Sequence, residues 1–179
     1  MNIGEKFYCS KCMRAIEDEE SVCPYCGYDP YSDAEKHVLE EGTLLHNGKY
    51  QIGAVIGSGG FGITYAAWDR KFEQPIAIKE YYIKTMCERD TTEDDTVTVN
   101  ADLEYAYQKG LDRFIREAKI LHTLENLKNV VPVIEWFEAN NTAYIVMKYI
   151  RGETLEKYIQ DNKIQSQQLI SMMRDKSSN

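Results

Sequence analysis

No run of this 179-residue sequence is apolar for long enough to span a bilayer. The first eight residues include Glu5 and Lys6 and lack an apolar segment, which excludes the pattern of a secretory signal. Positive charge is the minority sign, with 21 basic against 29 acidic side chains and a formal charge of −8. That balance sets nucleic acid and anionic membrane surfaces aside as main partners. There is no internal repeat and no long low-complexity tract. These absences point to a cytoplasmic globular protein. A hydrophobic content of 43% suffices for a buried core, and the length accommodates one ordinary domain or two small ones.

Cysteine is scarce, and its placement is not random. Four of the five cysteines form two pairs, Cys9-x-x-Cys12 and Cys23-x-x-Cys26, with ten residues between them. Each pair puts two thiolates on one turn, and two facing turns make a tetrahedral four-sulfur site. Pro24 and Gly27 suit the second turn, where the chain must bend tightly. The alternatives are structural disulfides, which a cytoplasmic protein does not keep, and a redox pair, which needs no second pair. The run YCSKCMRAIEDEESVCPYCGYDP resembles a zinc ribbon, with Cys9, Cys12, Cys23 and Cys26 as the zinc ligands. Many such ribbons carry a glycine after the first pair, where this chain has Met13. A closed four-cysteine site leaves no open metal position, so the expected role is structural or recognitional. The metal should supply most of the folding energy of so small a module. Glu17, Asp18, Glu19 and Glu20 between the turns disfavour a phosphate partner. Tyr28 to Glu41 reads as a linker with one short helix. Cys87 stands alone and reads as an incidental thiol.

The stretch VIGSGGFGITYAAWDRKFEQPIAIK, Val55 to Lys79, organises the rest. Gly57, Gly59 and Gly62 fall in a Gly-x-Gly-x-x-Gly frame, which two unrelated folds use. In a dinucleotide-binding fold the last glycine opens a helix. Here it precedes Ile63 to Trp68, which is β-branched and aromatic without helical period, and follows a strand over Tyr50 to Ile56. The glycines therefore turn a hairpin. Pro75 is expected to break the chain before a third strand, Ile76 to Ile78, delivers Lys79. This order resembles the ATP-holding part of a protein kinase. Glycine lets the loop lie on phosphate oxygens, and Lys79 adds a charge for the α- and β-phosphates.

Thr96 to Val99 alternates as a short strand or loop edge within a polar insertion. A helix follows over about Leu103 to Leu124, with Leu111, Phe114, Ala118 and Leu121 on its buried face. Glu117 lies at the edge of that face, where it can reach Lys79; the alternative is a surface pair with Arg113, and Glu125 is the weaker carboxylate. Val130 to Glu138 and Ala143 to Tyr149 read as strands joined by an Asn140-Asn141 turn. Thr154 can cap a short helix through Ile159.

IKEYY, RFIREAKIL and EANNTAYIVMKYIRGETL are similar to bacterial serine/threonine protein kinases over about residues 44 to 165. The resemblance implies an α+β fold: a kinase-like N-lobe with an antiparallel five-stranded sheet and one αC-type helix, behind the zinc ribbon. It implies a nucleotide site at Ile56, Gly57, Ser58, Gly59, Gly60, Phe61, Gly62, Thr64, Ala77 and Lys79. Met147 is the gatekeeper, and Lys148 and Ile150 offer the adenine edge a carbonyl and an amide. Thr64 stands where a valine is usual, and Leu127-Lys128 replaces a His-Pro pair. The expected division is ribbon 5–30, linker 31–43, N-lobe and hinge 44–165, and the start of a C-lobe helix 166–179.

The family's His-Arg-Asp loop and Asp-Phe-Gly are absent from these residues, and Met173-Arg174-Asp175 lacks the histidine. The expectation is a chain that binds ATP and zinc, with magnesium only beside a complete C-lobe, and that does not phosphorylate protein alone. The alternative is a non-catalytic zinc-ribbon adaptor or pseudokinase-like scaffold for a protein partner. A zinc-ribbon nucleic-acid binder ranks last.

Overall fold

The computed structural model describes residues 1–3, 6–32, 35, 37–89, 94–152 and 155–162. The short strands β1 (Asn2–Ile3), β2 (Lys6–Tyr8) and β3 (Ala15–Ile16) form an antiparallel three-stranded sheet in sequence order. The first cysteine pair lies on the turn between β2 and β3.

A second sheet begins with the two-residue edge strand β4 (Leu44–Leu45). It continues through β5 (Tyr50–Gly59), β6 (Gly62–Asp69) and β7 (Gln74–Glu80). After the hairpin β8 (Cys87–Arg89) and β9 (Val97–Val99) and a 3-10 turn comes the long helix α1 (Glu104–Thr123). Strands β10 (Val133–Ala139) and β11 (Thr142–Lys148) then return to the sheet, and α2 (Leu155–Asn162) follows. The order is β10-β11-β7-β6-β5-β4, all antiparallel. The five expected strands are present, and β4 adds an edge. Pro75 does not break the chain: it is the second residue of β7, where a missing N–H is tolerated at a strand's start. The last strand pair begins at Val133 rather than Val130, just after Pro132. Asn140 and Asn141 both take left-handed φ, 53° and 56°, as a two-residue hairpin turn requires.

Asn100 accepts a hydrogen bond from the Asp102 amide ahead of α1. Tyr107, Leu111, Phe114 and Ala118, at spacings of four, three and four, face α1 inward against β10 and β11. Leu121 is only partly buried. The core also takes in Leu39, whose amide donates to the Tyr65 hydroxyl (3.1 Å), so part of the segment read as linker packs into the lobe. Thr154, the helix after Ser166 and the Met173-Arg174-Asp175 run lie outside the described residues.

Candidate functional site

Glycine shapes the hairpin between β5 and β6. Gly57 pairs with Thr64, and Gly59 with Gly62, leaving Gly60 and Phe61 at the tip. Phe61 is 79% exposed. Gly62 has φ +149°, and a Cβ there would come within 2.1 Å of the Glu80 carbonyl oxygen. Only a residue without a side chain lets the loop's base sit this close to β7.

The register then aligns the other expected residues. Thr64 faces Lys79 across β6 and β7, Ala66 faces Ala77, and Met147 on β11 faces Ala77 from the other side. Residues directly opposed on neighbouring strands share one face of a sheet. Thr64, Ala77, Lys79 and Met147 therefore occupy one patch, and Gly57 on β5 pairs with Thr64 at its edge. Lys148 is the last residue of β11 and Ile150 lies two residues beyond it, and the Lys148 amide donates to the Pro132 carbonyl (3.0 Å).

Lys79 and Glu117 line one cavity of about 690 Å³ with Gly60, Phe61 and Phe114. The Lys79 ammonium stands 5.6 Å from the centre of the Phe114 ring. Among the described residues no ion pair within 4.0 Å joins Lys79 to Glu117, nor Glu117 to Arg113. The two groups face the same space, and Glu117 is exposed.

Two features of this region were not read from the sequence. Glu80 is fully buried and paired with Arg89, and its second oxygen accepts from the Tyr65 hydroxyl (3.0 Å). The period-2 pattern Ile76, Ile78, Glu80 on a buried face carried that signal. Tyr81 is sandwiched against Tyr107 and Phe114, and its hydroxyl donates to the Tyr107 carbonyl (3.2 Å), which locks β7 to α1.

The four paired cysteines converge. The Cys9–Cys26 and Cys12–Cys23 sulfurs lie 3.7 and 3.8 Å apart, and all four lie within 4.8 Å. An ion about 2.3 Å from each sulfur requires tetrahedral edges of about 3.8 Å, so the donor set fits zinc. Each turn closes on a backbone bond, Met13 N–H to the Cys9 carbonyl (3.0 Å) and Gly27 N–H to the Cys23 carbonyl (2.9 Å). Burial pushes the Cys9 and Cys12 thiols upward. Burial also raises Cys23, but the Tyr25 and Cys26 amides and the neighbouring thiols outweigh it and bring it down to about 7. Cys87 is buried away from this cluster, donates to the Ile83 carbonyl (3.3 Å), and burial raises its thiol.

Met13 takes the position that glycine fills in many ribbons, and does so with φ 55°. Left-handed backbone costs a residue with a side chain about 1–2 kcal/mol. Its side chain is fully buried against Ala66 and Trp68, a gain of about 1.5–3 kcal/mol that offsets the strain.

The protein kinase domain family matches residues 50–176. The chain is 26% identical over 156 residues to the serine/threonine-protein kinase PknD of Protochlamydia amoebophila, covering 87% of this chain and 13% of that protein. It is 32% identical over 130 residues to a probable serine/threonine-protein kinase of Clostridium acetobutylicum, covering 72% and 17%. It is 32% identical over 116 residues to the serine/threonine-protein kinase PrkC of Bacillus subtilis, covering 65% and 15%. The chain therefore spans less than a fifth of the length of these relatives. The solved structure titled "PpkA-294 apo form" superposes with a TM-score of 0.64 at 30% identity, covering 69% of this chain and 43% of that one. Among the described residues no helix is long and apolar enough to cross a membrane.

Proposed function

Since this chain belongs to the protein kinase family, we propose that it carries the ATP-gripping lobe of a cytoplasmic serine/threonine protein kinase, joined to a structural zinc ribbon. The glycine turn Gly57 to Gly62 covers the phosphates, with Gly60 and Phe61 at its tip and Ser58 on the strand leading into it. Lys79 supplies positive charge to the α- and β-phosphates, and Glu117 closes on Lys79 when nucleotide enters. Ile56, Thr64, Ala77 and Met147 enclose the adenine, and the backbone of Lys148 and Ile150 bonds its edge. Cys9, Cys12, Cys23 and Cys26 hold zinc. The proposed division is ribbon 5–30, connection 31–43, and lobe with hinge 44–165. Protein serine or threonine is the substrate class by analogy with the named relatives. Nucleotide grip, not phosphoryl transfer, is assigned to these residues, because the catalytic base and the magnesium-holding carboxylates of the family are not among them.

The observation that carries the reading is the close fit of the Gly62 backbone on the Glu80 carbonyl, which brings the glycine loop and Lys79 around one cavity. The test is equilibrium ATP binding to the zinc-loaded chain and to Lys79→Ala. A charge-assisted contact is worth roughly 1.5–3 kcal/mol, so the variant should bind about 10- to 100-fold more weakly. Equal affinity of the two proteins would refute the assignment.

A further inference from the structure

The ribbon does not hang free of the lobe. The Ala54 amide on β5 donates to the Ser10 carbonyl (2.8 Å), and Tyr8 lies 4.6 Å from Trp68, ring centre to ring centre. A Cβ on Gly53 would come within 2.3 Å of the Ser10 carbonyl oxygen, so the two backbones meet where only glycine fits. Two bonds come from the segment after β11: the Tyr149 hydroxyl donates to the Lys11 carbonyl (3.0 Å) and the Arg151 guanidinium to the Met13 carbonyl (3.1 Å). Both acceptors belong to the turn that carries Cys9 and Cys12.

Position gives this seam its meaning. Met13 packs on Ala66, and Ala66 stands directly opposite Ala77. Met13 therefore rests on the sheet face that carries Thr64, Ala77 and Lys79, one strand away from the adenine position. Tyr149 packs against the same Met13 cluster and lies between Lys148 and Ile150 in the chain.

We infer that the first cysteine turn, Cys9 to Met13, is the outer wall of the nucleotide site and clamps the hinge through Tyr149 and Arg151, so that the order of this turn sets nucleotide affinity. Met13, Tyr149 and Arg151 are positioning residues: they touch the hinge or the sheet, not the nucleotide. The inference rests on the ATP reading above for its affinity consequence, and on the seam alone for its effect on the hinge. The four-sulfur cluster ties this turn to the second cysteine turn, so an emptied metal site should release the clamp as well.

Met13→Gly isolates the idea. Glycine is relaxed at φ 55°, so the turn and its ligands persist while the docking side chain disappears. The experiment compares wild type, Met13→Gly and the pair Tyr149→Phe/Arg151→Ala, each with one zinc per chain by mass. Amide exchange over residues 147–151 and at Ala54 is read without nucleotide, and ATP affinity is read separately. Exchange should quicken about tenfold in both variants, and ATP should bind about three- to tenfold more weakly. Should Met13→Gly fail to fold, the Tyr149/Arg151 pair carries the test by itself. Unchanged exchange with zinc retained overturns the clamp, and faster exchange with unchanged ATP affinity overturns its control of nucleotide affinity. A wild type that binds no ATP defeats the ATP reading and with it the wall of the nucleotide site.

Discussion

Replacing Arg89 by Met should be among the costliest single changes to this fold. Arg89 and Glu80 side chains are both 0% exposed and form a two-pronged pair. The guanidinium also donates to the Asp95 carbonyl (2.9 Å) and the His37 carbonyl (3.2 Å), tying the β8–β9 hairpin and the segment before β4 to the sheet. Without Arg89, Glu80 keeps the Tyr65 hydroxyl bond but loses its counter-charge in a fully buried site. Removing one partner of a buried pair costs about 3–5 kcal/mol, because a charge is left uncompensated. Taking an m-value of about 2 kcal/mol/M, the urea midpoint should fall by about 2 M, followed by tryptophan emission with zinc present. The cost should come from the stranded carboxylate rather than from lost packing. Glu80→Gln/Arg89→Met, which removes the charge and leaves an amide oxygen for Tyr65, should therefore recover more than half of the loss. A single-variant loss under about 1 kcal/mol, or a double variant no better than the single, would refute this reasoning.

Gly110 on α1 lies against Tyr81, and a Cβ there would fall 1.9 Å from the hydroxyl oxygen. Gly110→Ala should cost about 1–2 kcal/mol by overpacking, net of its better helix propensity, and Tyr81→Phe should relieve most of it in a thermal-unfolding double-mutant cycle. Glu135 offers a pH prediction. Burial pulls its carboxyl upward, but hydrogen bonds from Lys49 (2.8 Å) and Tyr50 and the charge of Lys49 hold it below the ordinary value. A carboxyl depressed in the folded state stabilises fully above its unfolded pKa of about 4.3, and that stability is lost as pH falls through the lower folded value. The stability gap between wild type and Glu135→Gln should hold from pH 7 to about 5 and close below about 4 in urea titrations; a gap that widens on acidification would contradict the sign.

Elements with a strong local period were legible from residues alone. Leu111, Phe114 and Ala118 repeat at helical spacing and are buried on α1, and the Asn140-Asn141 turn and both cysteine pairs lie where their chemistry demands. What escaped were long-range partnerships. Nothing near Glu80 in the sequence announces Arg89, nine residues on across a polar insertion, as the group that makes its burial tolerable. Met13 looked only like a departure from a ribbon's glycine, because its compensation comes from Ala66 and Trp68 on a distant strand. Leu39 sits in a charged segment with linker composition, yet it fills the core beneath Tyr65. Pro75 departs from the expected break because the rule against proline within strands relaxes at a strand's start.

The most direct test of the central claim is residue-resolved amide exchange of the zinc-loaded chain with and without saturating ATP. The account predicts slowed exchange over residues 56–64, at 77–79 and at 147–150, with about 10- to 100-fold more ATP needed for the same protection in Lys79→Ala. Protection elsewhere, or the same ATP dependence of protection in Lys79→Ala, would contradict it.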